Sequence, residues 1–255
     1  MPQTKIVFFD IDGTLIDMQA KKITPKMLET LHRLQDRGIK ICIATGRSPM
    51  VLPKIDGVAF DAYLTFNGSL CYDRKGVIFS NPIPHKDVVR FIQNAAALGR
   101  PVCVSTRDRL AANGTDTDLT DYFFIANEPV PVADDFDAVC AEDIYQLMLG
   151  CRPKDYPALL DGAPGAKIAA WWDRAVDVIP AGGGKGIGIE KMLAYYGLDK
   201  AEALAFGDGN NDREMLQAVG TGVAMENGSP ELKALADEIC GPVYEDGIYH
   251  YCADK

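Results

Sequence analysis

Three apolar runs in the first part of the chain, KIVFF (5–9), IKICIA (39–44) and AYLTF (62–66), each break off into a polar turn: DIDGT, TGR and NGS. A run with no polar alternation is what a strand shows when both its faces are covered, as in a parallel sheet between helix layers. The connection between the first two, TPKMLETLHRLQDRG, reads as a helix. Thr24 is placed to cap it, Pro25 takes its first position, Leu28, Leu31 and Leu34 make an apolar stripe, and Gly38 ends it. Strand, helix, strand in this rhythm predicts an α/β fold with a doubly wound, Rossmann-like parallel sheet and right-handed crossovers. Such sheets bind ligands outside the carboxyl ends of their strands, and all three polar turns fall at that edge.

The rhythm is interrupted once. From about residue 84 to 180 a helical stretch (HKDVVRFIQNAAALG) leads to shorter alternating strands such as YQLML (145–149). A polar segment around 127–138 follows the helix, and AKIAAWWDRAVDVIP, two apolar runs parted by Asp173-Arg174, reads as a hairpin. After Pro180 the first rhythm resumes with GIEKMLAYYG, ALAFG (203–207), REMLQAVG, TGVAM and SPELKALAD. The expected organisation is a discontinuous core, residues 1–83 and 181–255, with a smaller α+β domain inserted at 84–180 on an antiparallel sheet.

Charge and cysteine usage narrow the partners. A formal net charge of -10 leaves no general basic face for nucleic acid. No apolar stretch approaches the length of a membrane span, and the apolar run of MPQTKIVFFDID is too short for a signal peptide. Seven cysteines without a C-x-x-C pair or metal-ligand spacing suit reduced, buried thiols in the cytoplasm. The sequons at Asn67, Asn113 and Asn227 then read as turn chemistry. The sequence shows no sign of an obligate protein partner.

Four polar clusters fall at strand ends or helix starts of the core: Asp10/Asp12, Thr45-Gly46-Arg47, Lys185 in GGGKG, and GDGNND (207–212). Two acids one residue apart at the mouth of a buried strand repel unless a cation or shared proton lies between them. Asp208 and Asp212 add two more, and acids converging on one edge make a hard-cation site that suits Mg²⁺. Thr45 supplies a neutral donor and Lys185 a fixed positive charge. A carboxylate nucleophile, a metal, a hydroxyl and a lysine are the requirements of phosphoryl transfer through an aspartyl-phosphate. An EF-hand reading of GDGNND fails, because its sixth and twelfth places hold Arg213 and Val219. A P-loop reading of GGGKG fails too: Ile179 stands where the first glycine belongs, and Gly186 replaces the Ser or Thr. His32, His85 and His250 are too scattered to hold a metal.

At DIDGTL, Thr45 in ATGR, Lys185 and GDGNND, in that order, the chain resembles the haloacid dehalogenase superfamily of phosphatases. It looks most like the Cof-type branch, whose large α/β cap is inserted between the third core strand and the lysine motif. The resemblance implies that Asp10 attacks phosphorus and that Asp12 is the general acid and base. Thr45, Gly46, Lys185 and Asn211 would hold the phosphoryl group. Mg²⁺ would be bound by Asp10, the backbone carbonyl of Asp12 and Asp208, with Asp212 shaping their surroundings. Gly184 departs from the pattern, since relatives often carry a small hydroxyl residue there. The resulting expectation is an Mg²⁺-dependent phosphatase of small phosphorylated metabolites, sugar phosphates favoured, with leaving-group contacts among Arg107, Arg109, Trp171, Trp172 and Arg174. A phosphomutase would use the same aspartyl-phosphate but keep water from it. A non-catalytic phosphate-binding module would have lost Asp10, Asp12 or Lys185, and all three are present.

Overall fold

Strand β1, Ile6–Phe9, is buried along its whole length, as its unbroken apolar sequence requires. The computed structural model describes residues 3–125, 127–170 and 173–253. Fully burying a side chain of the size of Ile6 or Phe8 contributes about 1.5–3 kcal/mol, so β1 anchors the sheet. Its neighbours are β2, Lys40–Ala44, on one side and the strand Ala203–Gly207 on the other, both parallel to it. Beyond β2 lies β3, Ala62–Thr65, also parallel.

The helix Pro25–Asp36 joins β1 to β2. Thr24 caps it by accepting the N–H of Met27, and Pro25 opens it, while Gly38 (φ 74°) turns the chain out of it. The buried face differs by one position from the expected stripe: Met27, Thr30, Leu31 and Leu34 are buried, and Leu28 is only half-buried.

The sequence reading passed over a hairpin. After β3 the chain turns back through β4, Leu70–Asp73, and β5, Gly76–Ser80, which extend the sheet antiparallel. The strands β6, Cys103–Ser105, β7, Leu110–Ala112, β8, Gln146–Gly150, β9, Ala166–Ala169, and β10, Ala175–Pro180, form a separate sheet in the order β7-β6-β8-β10-β9, every pair antiparallel. The expected hairpin is the β9–β10 pair. Then β11, Ala203–Gly207, β12, Thr221–Met225, and β13, Glu238–Cys240, complete the large sheet in the order β13-β12-β11-β1-β2-β3-β4-β5.

The chain divides into two compact units, one of Met1–Arg47, Pro53–Ser80 and Gly184–Lys255, the other of Ser48–Leu52 and Asn81–Gly183. The first holds the eight-stranded sheet, with Ile6, Phe8, Leu64, Ile189, Met192 and Met215 in one of its core clusters. The second packs Phe91, Val104, Leu147, Leu149 and Val176 around its own sheet. Among the described residues no helix is long and apolar enough to cross a membrane. Every cysteine is a free thiol, six of the seven buried.

Candidate active site

Asp10 is the first residue past β1, and its N–H donates to Phe206 O at 3.0 Å, which fixes it at the carboxyl edge of the sheet. Lys185 reaches the same edge from the first turn of the helix Lys185–Tyr196. Its Nζ donates to Asp10 Oδ1 at 2.6 Å and to Asp212 Oδ1 at 2.5 Å, and the side chain is wholly buried. A cation at a helix N-terminus works against the dipole, so this one is held by its two carboxylates. Burial by itself would lower the lysine's pKa, but Asp10 and Asp212 overcome it and keep the ammonium form.

Both oxygens of Asp212 are engaged. Its Oδ1 takes Lys185, and its Oδ2 accepts the N–H groups of Asp208 and Gly209 at 3.0 and 2.9 Å. It therefore shapes the 208–212 loop. Asp208 approaches from that loop and accepts the Thr14 hydroxyl on Oδ1 at 3.0 Å. Gly13 makes the approach possible: it has φ 85°, and a Cβ there would collide with the Asp208 carboxylate. Asn227 Nδ2 donates to Gly13 O at 2.8 Å and pins the turn.

Carboxylate oxygens of Asp10, Asp208 and Asp212 lie within 4.8 Å of one another. Three carboxylates facing one ammonium leave two negative charges uncompensated. Burial, then the Asp212 charge, pushes Asp208 up to about 7. Burial also raises Asp10 well above the usual carboxylate range, Lys185 opposing and the neighbouring acids adding to the rise. A divalent cation would relieve both. Asp10 Oδ2 and Asp208 Oδ2 have no hydrogen-bond partner among the described residues, so the donor set fits a hard cation such as Mg²⁺.

Asp12 stands outside the acidic cluster. Arg47 holds it bidentately, Nε to Oδ2 at 2.8 Å and Nη2 to Oδ1 at 2.6 Å. Thr45 is buried, its N–H bonded to Leu64 O and its hydroxyl oxygen accepting Arg47 N–H at 3.1 Å. Asn211 donates to Asn67 Oδ1 at 3.2 Å. All the core residues expected from the sequence thus come to one sheet edge. The roles of Arg47, Thr14 and Asn67 were missed, although each sits inside a quoted polar turn.

The expected leaving-group residues of the inserted segment look different. Arg109 is engaged with Asp135 at 2.7 and 2.5 Å, and Arg174 lies 3.3 Å from Asp173 and 3.6 Å from Asp121. Arg107 lies 3.8 Å from Asp108. Trp171 and Trp172 fall outside the described residues. A separate cavity of about 130 Å³ is lined by Thr14, Leu15, Lys22, Met27, Tyr244 and Ile248, among others, and by none of the four acids.

A doubly wound sheet with a buried aspartate–lysine pair and further acids at its carboxyl edge defines a class of hydrolase. The chain belongs to the haloacid dehalogenase-like hydrolases, whose family model matches residues 7–252. It is 35% identical to YkrA of Bacillus subtilis (strain 168), provisionally named a phosphatase, over 96% of this chain and 95% of that one. Among solved structures, a haloalkanoate-superfamily phosphatase from Bacteroides thetaiotaomicron is 30% identical with a TM-score of 0.92, over 99% and 95% of the two chains. A subclass IIB sugar phosphatase is 28% identical with a TM-score of 0.87, over 98% of each. The family resemblance read from the four motifs is borne out.

Proposed function

We propose that the protein is a cytoplasmic, Mg²⁺-dependent phosphatase that hydrolyses small phosphorylated metabolites, sugar phosphates foremost, through an aspartyl-phosphate on Asp10. The observation that carries the reading is the buried Lys185 bridging Asp10 and Asp212 at the end of β1, with Asp208 beside them. Lys185 donates to Asp10 Oδ1; one carboxylate oxygen of Asp10 attacks phosphorus and the other would contribute to the Mg²⁺ site. An O–P bond forms at the attacking oxygen as the ester O–P bond breaks. The Thr45 hydroxyl, the Gly46 N–H and the Lys185 ammonium receive the phosphoryl oxygens in transit.

Asp12 protonates the leaving oxygen and then takes a proton from the water that opens the aspartyl-phosphate. Both its oxygens accept from Arg47 in the structure, so it carries a proton to the leaving group only after that pair opens. The two side chains are 35% and 32% exposed, so water can take over the hydrogen bonds of both when the pair opens. Asp10, Asp208 and the Asp12 carbonyl would hold Mg²⁺, which when bound neutralises charge on the phosphoryl oxygens. The inserted segment 84–180 would act as a cap that selects the leaving group, since it carries none of the four clusters. The resemblance to a sugar phosphatase over nearly the whole length supports the substrate class.

Phosphate release over a panel of phosphorylated sugars, nucleotides and cofactors, with and without Mg²⁺, tests the reading. Asp10→Asn should keep the fold, by circular dichroism, and lower turnover on the order of 10³-fold or more. Retention of substantial turnover would remove Asp10 as the nucleophile.

A further inference from the structure

We propose that Asn67, outside the four polar clusters, is a further phosphate-binding residue, its side-chain NH₂ donating to a non-bridging oxygen of the phosphoryl group held at Thr45 and Gly46. The inference rests on the phosphatase reading above. Phe66, Asn67 and Gly68 have φ of 50°, 50° and 91°, three left-handed residues in a row. A bulky residue such as Phe66 adopts that region only under constraint, and such strain gathers at functional sites. The constraint is visible: Phe66 N–H donates to Arg47 O and Asn67 N–H to Thr45 O, both at 3.0 Å. The turn after β3 is thus bound edge-on to the Thr45-Gly46-Arg47 turn.

That conformation places the Asn67 side chain between two candidate phosphate ligands. It is 5% exposed, and its Oδ1 accepts from Asn211. On the other side it presses on Gly46, where an added Cβ would lie 3.1 Å from Asn67 Nδ2 and 3.2 Å from Oδ1. The amide thus occupies the space a side chain at residue 46 would need. Asn67 Nδ2 has no acceptor among the described residues, and neither has the Gly46 N–H or the Thr45 hydroxyl proton. Nor is that nitrogen sealed in: the one fully buried side-chain polar atom without a partner among the described residues is Ser69 Oγ. Donors that the fold leaves without an internal acceptor take one from outside it, water or a ligand. Three neighbouring donors without one are matched by a tetrahedral oxyanion, the chemistry of a phosphate monoester or of free phosphate.

Calorimetric titration of inorganic phosphate into the Mg²⁺-loaded protein, run beside steady-state kinetics, tests this. Asn67→Asp keeps an oxygen facing Asn211 and a residue type that tolerates positive φ, but turns the donor into an anion. Asn67→Gly keeps the backbone conformation and removes the donor without adding charge. Phosphate affinity should fall about tenfold to hundredfold in the first and about tenfold in the second, the loss of a hydrogen bond to a charged group. KM should rise in step while kcat changes little. If the aspartate variant does not fold, the glycine variant carries the test. Wild-type phosphate affinity in both variants, or a loss of kcat with unchanged affinity, would reduce Asn67 to a brace for Asn211 and overturn the proposal. Wild-type protein that binds phosphate through Asn67 but turns over no ester would overturn the phosphatase reading alone. Wild-type protein that binds no phosphate would overturn both.

Discussion

Replacing Lys185 by methionine removes the ammonium that bridges the buried acids Asp10 and Asp212 while keeping a side chain of similar length. Lys185 Nζ lies 2.6 Å from Asp10 and 2.5 Å from Asp212, and both acids are at most 9% exposed. Breaking a buried ion pair by deleting one partner costs about 3–5 kcal/mol, because the remaining charge is left in a low dielectric. Two carboxylates are stranded here, so the upper part of that range applies. For a chain of this size each kcal/mol moves the melting temperature by about 2–4 °C, and a fall of about 8–20 °C is expected. The pH dependence has a definite sign. Asp10 is already raised by burial with the lysine in place, and without it rises further. A carboxyl raised in the folded state destabilises that state wherever it is ionised, so the deficit should be largest at neutral pH and shrink as the pH falls toward the ordinary carboxylate range. Saturating Mg²⁺ should recover more stability in the variant than in the wild type, because the site then carries one more negative charge. The assay is thermal unfolding of both proteins across pH, with and without Mg²⁺. A melting temperature within about 2 °C of wild type at neutral pH, or a deficit that grows on acidification, would refute the reasoning.

Two further outcomes follow from the same site. Asp208, pushed up to about 7 by burial and by Asp212, keeps in the metal-free folded protein a proton that the unfolded chain releases near 3.8. Metal-free stability should therefore fall on the order of 4 kcal/mol as the pH rises between those values, and the stabilisation by Mg²⁺ should grow over the same window. A Mg²⁺-induced melting shift larger at about pH 5.5 than at about pH 8 would contradict this assignment of Asp208. Gly184 sits at φ 146°, ψ 151°, a region that is essentially glycine's own, and a side chain there meets the Glu214 carboxylate. Gly184→Ser should cost about 1–3 kcal/mol by chemical denaturation, and an equally stable variant would show that the loop before Lys185 relaxes freely.

Five parallel strands of the large sheet are legible as unbroken apolar runs, because they are buried on both faces, whereas β13, two of its three residues exposed, carries no such signal. Thr24, Pro25 and Gly38 marked the ends of the first helix by local chemistry alone. The β4–β5 hairpin was missed because its strands are short and half-exposed: Val77 is 49% exposed, and burial alternates poorly along VIFS. The stripe on the first helix was misplaced by one position because Met27 and Leu28 are equally apolar, and only packing against the sheet decides which turns inward. The site clusters were legible for a topological reason: each follows a buried run or opens a helix, and the carboxyl edge of a parallel sheet gathers such points. Pairing between clusters was not legible. Asp12 and Arg47 are thirty-five residues apart, and Thr14 and Asp208 one hundred and ninety-four.

That pairing is what separates four chemically identical acids. Asp212 accepts a lysine and two backbone amides, so both its oxygens are engaged and it aims the loop. Asp208 gives one oxygen to a neutral hydroxyl and keeps the other open, in surroundings that penalise its charge, and those are the properties of a metal ligand awaiting a cation. Asp10 gives one oxygen to a buried lysine and keeps the other unpartnered among the described residues, so its neighbour supports the anion in the role proposed for it. Asp12 is the one of the four paired with a half-exposed arginine, whose place water can take when the pair opens. A group that must change protonation state twice in a turnover needs an exchangeable partner, and a group that must stay charged needs a buried one. By that criterion the surroundings of the two carboxylates support the proposed assignment of Asp12 to proton transfer and Asp10 to attack.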